Sequence, residues 1–431
     1  MMIISLLIAF VIGALIFGAI YQKDAWGNAL GVLVSFWLGV ASCALIVFYS
    51  VWISGGYDPL NIINTTFIVL ICCILLCYFR QGNPFLCVQG LKFSFLFVLV
   101  IFIGWILMNG LSHHNFYGDW DAWSFWNYRS RYLVSAGYHW KDIFTYDAQA
   151  KHPWLLSYWI VFGWSWLGEQ SYAYTFLSAQ FFGLMVLATV FISIWYLTTN
   201  EFIAFVATLW LASMPYFLLH SISQYADVIT ASLILLNLVL LFHLYQRKVK
   251  SDALLLGLML GIMAFSKDEG ILSALLIIVL LIPWLRKSKD FYAPCCWGLL
   301  LTIFPTIVVK CWMLPAPSGV NTINLSNIGD WHRALYIIQY FLFVLRKPFY
   351  GGALIIPFGI LISFLFRKSD KQDVIMAWFL MIFIAVFLFL YLVVSGNLPW
   401  RLLATGERLV YQILPVMMVF LFYRLFGNFQ K

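Results

Sequence analysis

Apolar runs of about 20 residues, parted by short polar breaks, recur along the whole chain, and that is the length a helix needs to cross a hydrocarbon core. The pattern predicts spans at 2–20, 28–50, 61–79, 91–111, 172–197, 202–220, 227–246, 253–266, 270–285, 295–313, 349–366, 374–394 and 409–427. Two further apolar stretches, 154–168 and 334–345, are short for a span and rich in aromatic residues, which places them at the membrane interface. The alternating strands of roughly ten residues that build membrane barrels do not occur in the pattern. The expected fold is all-α: a polytopic transmembrane helical bundle of about 13 spans with interfacial helices on its outer face.

Composition agrees. Of 431 residues, 64% are hydrophobic and 10% charged, with a mean hydropathy of +0.93. A soluble domain is about half apolar and about a quarter charged, so this surplus exceeds what one globular core can bury. Residues 1–20 lack a basic leading region and a small-x-small cleavage site, which marks them as a retained span. The group Cys72, Cys73 and Cys77 has no histidine or acid beside it and suits helix packing better than metal binding. Spans one to three carry almost no polar group within the lipid, so residues 1–90 are expected as appended helices ahead of a core at 91–431.

Charge sets the orientation. Arg247, Lys248 and Lys250 share one short loop, Arg286, Lys287 and Lys289 a second, Arg367, Lys368 and Lys371 a third, and Arg80 and Lys92 flank a fourth. The spans put all four on one side, expected to be cytoplasmic. On that map the cytoplasmic side holds 14 bases and 6 acids, and the outer side 11 of each. The net charge of +8 is thus a topology signal rather than a nucleic-acid surface. The longest loops, 112–171 and 314–348, face outward, and work at the outer face is expected.

The first of these loops holds the chain's densest chemistry. It runs through His113 and His114 into GDWDAWSFWNYRSRYL, where Asp119 and Asp121 precede Trp120, Trp123, Trp126, Arg129 and Arg131. At helical spacing this gives an amphipathic helix lying in the interface, aromatics at headgroup depth and arginines exposed. An Asp here either caps the helix or serves as a surface general base for an acceptor hydroxyl. Such Asp-x-Asp pairs also hold metals in soluble nucleotide-sugar transferases, which leaves a divalent metal open. Downstream, His152 precedes Pro153 and an aromatic helix, and is either a phosphate ligand or a plain interfacial group. Asp227 opens a span, either as a first-turn acid or as a second carboxylate converging on the first.

Ser266-Lys267-Asp268-Glu269-Gly270 interrupts an apolar run from 253 to 285. Each charge at the bilayer centre costs about 2.5–3.5 kcal/mol, so this break sits at the outer surface or in a wet cavity. It is either an exposed hairpin or a lysine facing an anionic headgroup. Arg408 lies just outside the last span and suits bidentate phosphate contact.

Taken together, these pieces resemble the GT-C superfamily of membrane glycosyltransferases, which includes protein O-mannosyltransferases and the aminoarabinose transferases of lipid A. The resemblance covers about residues 91–431. Asp121, with Asp119, is similar to the acid after the family's first core span. His152-Pro153-Trp154 resembles its His-Pro motif, QYAD its second outer Asp at Asp227, and GIMAFSKDEG its pattern around Lys267 and Glu269, while Arg408 resembles its C-terminal base. Asp119-Trp120-Asp121 replaces the family's Asp-Glu pair, so either acid is open as the base.

The resemblance implies inverting transfer of a sugar from a polyprenyl-phosphate donor to a lipid, glycan or protein acceptor at the outer leaflet of a bacterial inner membrane. Asp121 would activate the acceptor hydroxyl, with Asp119 as the alternative. Lys267 and Arg408 would neutralise the leaving phosphate, and His152, Asp227, Glu269 and Arg129 complete the expected donor-binding set. Two other classes stay open: a transporter or flippase of lipid-linked sugars, which would share an aromatic, lipid-facing cavity, and an O-antigen ligase or polymerase, a different transferase fold with a large outer loop and Arg/His chemistry.

Overall fold

The computed structural model of the chain describes residues 2–21, 28–80, 82–83, 94–112, 116–146, 150–286, 288–314, 324–346, 355–366 and 368–427. Cys87, Lys92, His113, His114, Asp147, Lys287 and Arg367 lie outside the described residues. Nineteen α-helices follow one another: α1 Met2–Ile20, α2 Asn28–Ser54, α3 Pro59–Phe79, α4 Phe95–Ser112, α5 Asn127–Ser135, α6 Ile143–Tyr146, α7 Leu155–Leu167, α8 Tyr172–Thr198, α9 Glu201–Ala212, α10 Pro215–Ile222, α11 Ala226–Arg247, α12 Lys250–Ser266, α13 Asp268–Leu285, α14 Tyr292–Val308, α15 Trp331–Arg346, α16 Ile355–Phe366, α17 Lys371–Val393, α18 Leu398–Arg401 and α19 Glu407–Phe426. Among the described residues there is no β-sheet.

Among the described residues eight helical segments are long and apolar enough to cross a membrane, or nine when α9 and α10, bent by 73°, count as one broken span. The chain is therefore an all-α, multi-pass membrane protein. Pro215 explains the break, since it fits a first helical turn but cannot continue α9. The expected spans 253–266 and 270–285 are α12 and α13, a hairpin that turns on the single extended residue Lys267. Helix ends follow local chemistry elsewhere. Asp58 caps α3 through the Leu60 N–H at 2.9 Å, and Asp370 and Asp373 form a reciprocal capping box on α17.

The most extensive helix–helix contact among the described residues is that of α12 with α14. A Cβ on Gly257 would run into the Cys295 carbonyl, and one on Gly298 into that of Leu254. Small residues let these two backbones touch, the usual means of packing helices where lipid is the solvent.

One packing expectation changes. Helix α7, expected at the interface, is enclosed by protein: Leu155 through Ser165 are all buried, against α2, α3, α5 and α12. Its aromatics find partners on every side, among them Trp159 against Phe182 and Trp154 against Tyr158. Helix α15, the other interfacial candidate, buries only Ile337 and Val344 and leaves Trp331 and Phe343 exposed. The hydrophobic core is also continuous across the boundary expected near residue 90. Trp37 of α2 stacks on Phe182 of α8, and Tyr49 on Phe304 of α14.

The bundle has two chemically distinct ends. Helix α11 spans about 33 Å at 1.5 Å per residue, with Asp227 at its start and Arg247 at its finish. Around Arg247 gather Tyr21, Asp252 at 3.8 Å, and the nearby pair Lys250–Asp290 at 3.8 Å. The basic loops after α11, after α13 and before α17 share this end. The acids and bases of interest gather at the other.

Candidate active site

At the end opposite the basic loops, Asp121, Asp227, Lys267 and Arg408 come together. Asp227 is the hub. Arg408 donates to its Oδ2 from Nε at 3.1 Å and from Nη2 at 2.7 Å, and Lys267 Nζ lies 2.7 Å from its Oδ1. Gln412 Nε2 donates to the same Oδ1 at 2.5 Å. Arg408 Nη1 reaches on to Asp121 Oδ2, and Lys267 also pairs with Glu269 at 3.1 Å. Arg408 lies over the face of Tyr225, whose hydroxyl accepts the Asp121 N–H at 3.3 Å. Asp227 has no exposed side-chain surface, whereas Asp121 keeps 14%, Arg408 12% and Glu269 18%. The cluster thus has a sealed floor and a rim open at Asp121, Arg408 and Glu269.

Local structure explains the convergence. Gln224 adopts a left-handed conformation and ties two loops together: its Nε2 donates to Phe116 O and its Oε1 accepts from Asn127. The Asp119 N–H donates to Ser223 O at 3.1 Å. Gly118, at φ +78°, makes the turn, and a Cβ there would press on Ala122 and Gln224. On the other side Thr230 and Ser266 share a hydrogen bond at 2.9 Å, which pins the Lys267 turn to α11.

Three π-helical turns occur among the described residues, and each adjoins a charged residue at this end. Ala122–Trp126 follows Asp121, Val309–Met313 contains Lys310, and Leu402–Gly406 leads into Arg408. Such bulges add one residue to a turn and often mark functional sites.

Asp121 and Asp119 part company. Asp121 makes no capping bond and turns to Arg408, so capping is not its role. Asp119 is exposed and accepts from its neighbour Trp120 N at 2.8 Å. The two carboxylates thus have different partners, a backbone N–H for Asp119 and the Arg408 guanidinium for Asp121. Among the described residues no group of three or more His, Cys, Asp or Glu side chains forms a metal-type cluster. Burial pushes the Asp121 carboxyl above the usual aspartate range, with the charge of Asp227 adding to it, and Arg408 and Lys267 pull against that rise.

Lys267, expected in an exposed hairpin or facing a headgroup, is 6% exposed and lies within the cluster. Arg129, expected on the exposed face of the interfacial helix, is fully buried between Phe125, Trp126 and Trp154. The π turn just before it explains the difference, because one inserted residue rotates the rest of the helix by about 100°. Arg129 Nη1 donates to His152 O at 3.4 Å, so it braces the His152 loop instead of facing the cluster.

His152 joins a second group. Its Nδ1 lies 2.5 Å from Asp268 Oδ2, and Lys310 lies 2.7 Å from Asp268 Oδ1. Sequence reasoning missed Gln412, Lys310 and the role of Asp268. Gln412 was legible as an amide in an apolar run at i+4 from Arg408, which places both on one helix face. Lys310 was legible as a lone cation near the end of a span.

Compared with protein-family models, curated proteins and solved structures, the chain has no match.

Proposed function

We propose that this protein transfers a sugar from a polyprenyl-phosphate donor to an acceptor hydroxyl at the membrane surface, with Asp121 as general base. The observation that carries this reading is the meeting of Asp121, Asp227, Lys267 and Arg408, from four separate stretches of chain, at one end of an apolar bundle. The exposed pair Trp120 and Trp123, with ring centroids 4.5 Å apart, flanks Asp121 and offers a face for a sugar or a headgroup. In this reading about 13 segments cross a bacterial inner membrane and the cluster lies at its outer leaflet.

Both cations are already paired before any substrate arrives. Three carboxylates (Asp121, Asp227 and Glu269) surround Lys267 and Arg408. A donor phosphate therefore takes the place of Asp121 on Arg408, and that exchange releases the carboxylate beside the acceptor. Asp121 then accepts the hydroxyl proton as the acceptor oxygen attacks the anomeric carbon. The bond from that carbon to the phosphate oxygen breaks, the electron pair leaves with the lipid phosphate, and Arg408 and Lys267 neutralise the charge. Asp227 is a positioning residue that holds both cations.

A second reading, a carrier or flippase of lipid-linked sugars, draws on two observations: the charges satisfy one another inside the bundle, and α9–α10 is a broken helix. Purified protein incubated with a panel of polyprenyl-phosphate sugars separates the two. Release of polyprenyl phosphate, lost in Asp121→Asn, supports transfer. Movement of the intact lipid-linked sugar across a liposome membrane, with no release, supports the carrier.

A further inference from the structure

A cavity of about 810 Å³ opens at the basic end of the bundle, remote from the acid cluster, between the last turns of α11 and α13 and the first turn of α17. Its walls and rim differ in chemistry. Phe242, Leu280 and Val374 line it with hydrocarbon, while Lys248, Lys371 and Ser288 offer polar groups. A space of this size suits a ligand with an apolar body and a polar head. In a multi-pass membrane protein a lipid supplies both an apolar tail and a polar head.

The polar side of the cavity is cationic. Lys248 comes from the end of α11 and Lys371 from the start of α17, and both are exposed. Asp370 is the one acid lining the cavity among the described residues, set against two lysines, and its oxygens accept two hydrogen bonds. Oδ2 accepts from the Tyr423 hydroxyl at 2.5 Å, and Oδ1 accepts from the Asp373 N–H at 2.8 Å. Lys248 also closes α11 in the left-handed conformation, φ 56° and ψ 48°.

We propose that this cavity binds one anionic phospholipid, its phosphate between Lys248 and Lys371 and a tail along Phe242, Leu280 and Val374. The basic loops concentrate positive charge at this end, where anionic headgroups gather. The inference is independent of what the acid cluster does.

The test is thermal unfolding of the full-length protein in detergent, monitored by tryptophan fluorescence, with phosphatidylglycerol, phosphatidylcholine or inorganic phosphate added. Phosphatidylglycerol should raise Tm by several degrees, phosphatidylcholine by much less and phosphate not at all. In Lys248→Gln/Lys371→Gln, apparent affinity for phosphatidylglycerol should fall about 10- to 30-fold. Both lysines are exposed, so this variant tests binding without disturbing the core. Leu280→Trp should fill the apolar depth and reduce the response to both lipids. Equal stabilisation by the two lipids in the wild type would overturn the proposal. So would an undiminished preference in the double lysine variant, or a response to phosphate equal to that of the lipid.

Discussion

Asp119 and Asp121 lie two residues apart yet meet different surroundings, one exposed and the other held on Arg408. Asp121→Asn keeps the shape and loses the charge. On the proposed reading it lowers transfer by about 10²–10⁴-fold and binds donor at least as tightly, since the phosphate no longer displaces a carboxylate from Arg408, while Asp119→Asn stays close to wild type. A transfer assay on both variants checks this, and full activity in Asp121→Asn removes the base. The pH profile supplies a second check. Burial raises the Asp121 pKa, and a base works only when ionised, so activity falls as pH drops through a value above the ordinary aspartate pKa of about 3.9. Arg408 opposes that rise in the free enzyme, so kcat/KM of Arg408→Gln should show its acid limb at still higher pH. A limb that moves down, or stays put, contradicts the assignment. Lys267→Met and Arg408→Gln should each weaken binding of the phosphorylated donor, read by titration with the donor lipid. Unchanged affinity in both variants would remove their role.

At the scale of elements, the basic end carries a buried clamp that nothing in the apolar pattern singles out. Arg424 of α19 donates to Asp373 of α17 at 2.6 Å and to Ser363 O of α16 at 2.8 Å, with both charged side chains fully buried. Removing one partner of such a pair strands the other charge, at about 3–5 kcal/mol. Arg424→Met should therefore lower Tm sharply, and Arg424→Met/Asp373→Leu should recover much of the loss. Thermal unfolding of the single and double variants decides it, and additive losses would mean the two residues are not coupled. Pattern alone located most helices at this scale, since apolar length is a local property. It missed the broken α9–α10 pair, because Pro215 was read as part of one run. It also put α7 at the surface, because an aromatic-rich run looks the same whether lipid or protein covers it.

For the whole molecule, alternation of helices puts the Trp-rich loop at one end and the basic loops at the other. On the proposed topology an impermeant thiol reagent added outside labels cysteines placed at Tyr138 or Tyr146, both well exposed, in a background with the native cysteines replaced. Cysteines at Lys248 or Lys289 should label only after the membrane is opened. The reverse pattern would invert the map and place the acid cluster on the inner face.

The sequence by itself determined the class, because hydrophobic length and the side on which bases fall are written residue by residue. It also marked Asp121, Asp227, Lys267 and Arg408, since charge is costly near lipid and each stands at the edge of an apolar run. Only the tertiary structure decided how these four pair with one another, that Gln412 joins them, and that His152 belongs with Asp268 and Lys310. It also decided that Arg129 is inside. The reason is physical: pairing between residues 100 to 300 positions apart depends on helix rotation and crossing, and a single π turn resets that rotation without altering the hydrophobic pattern.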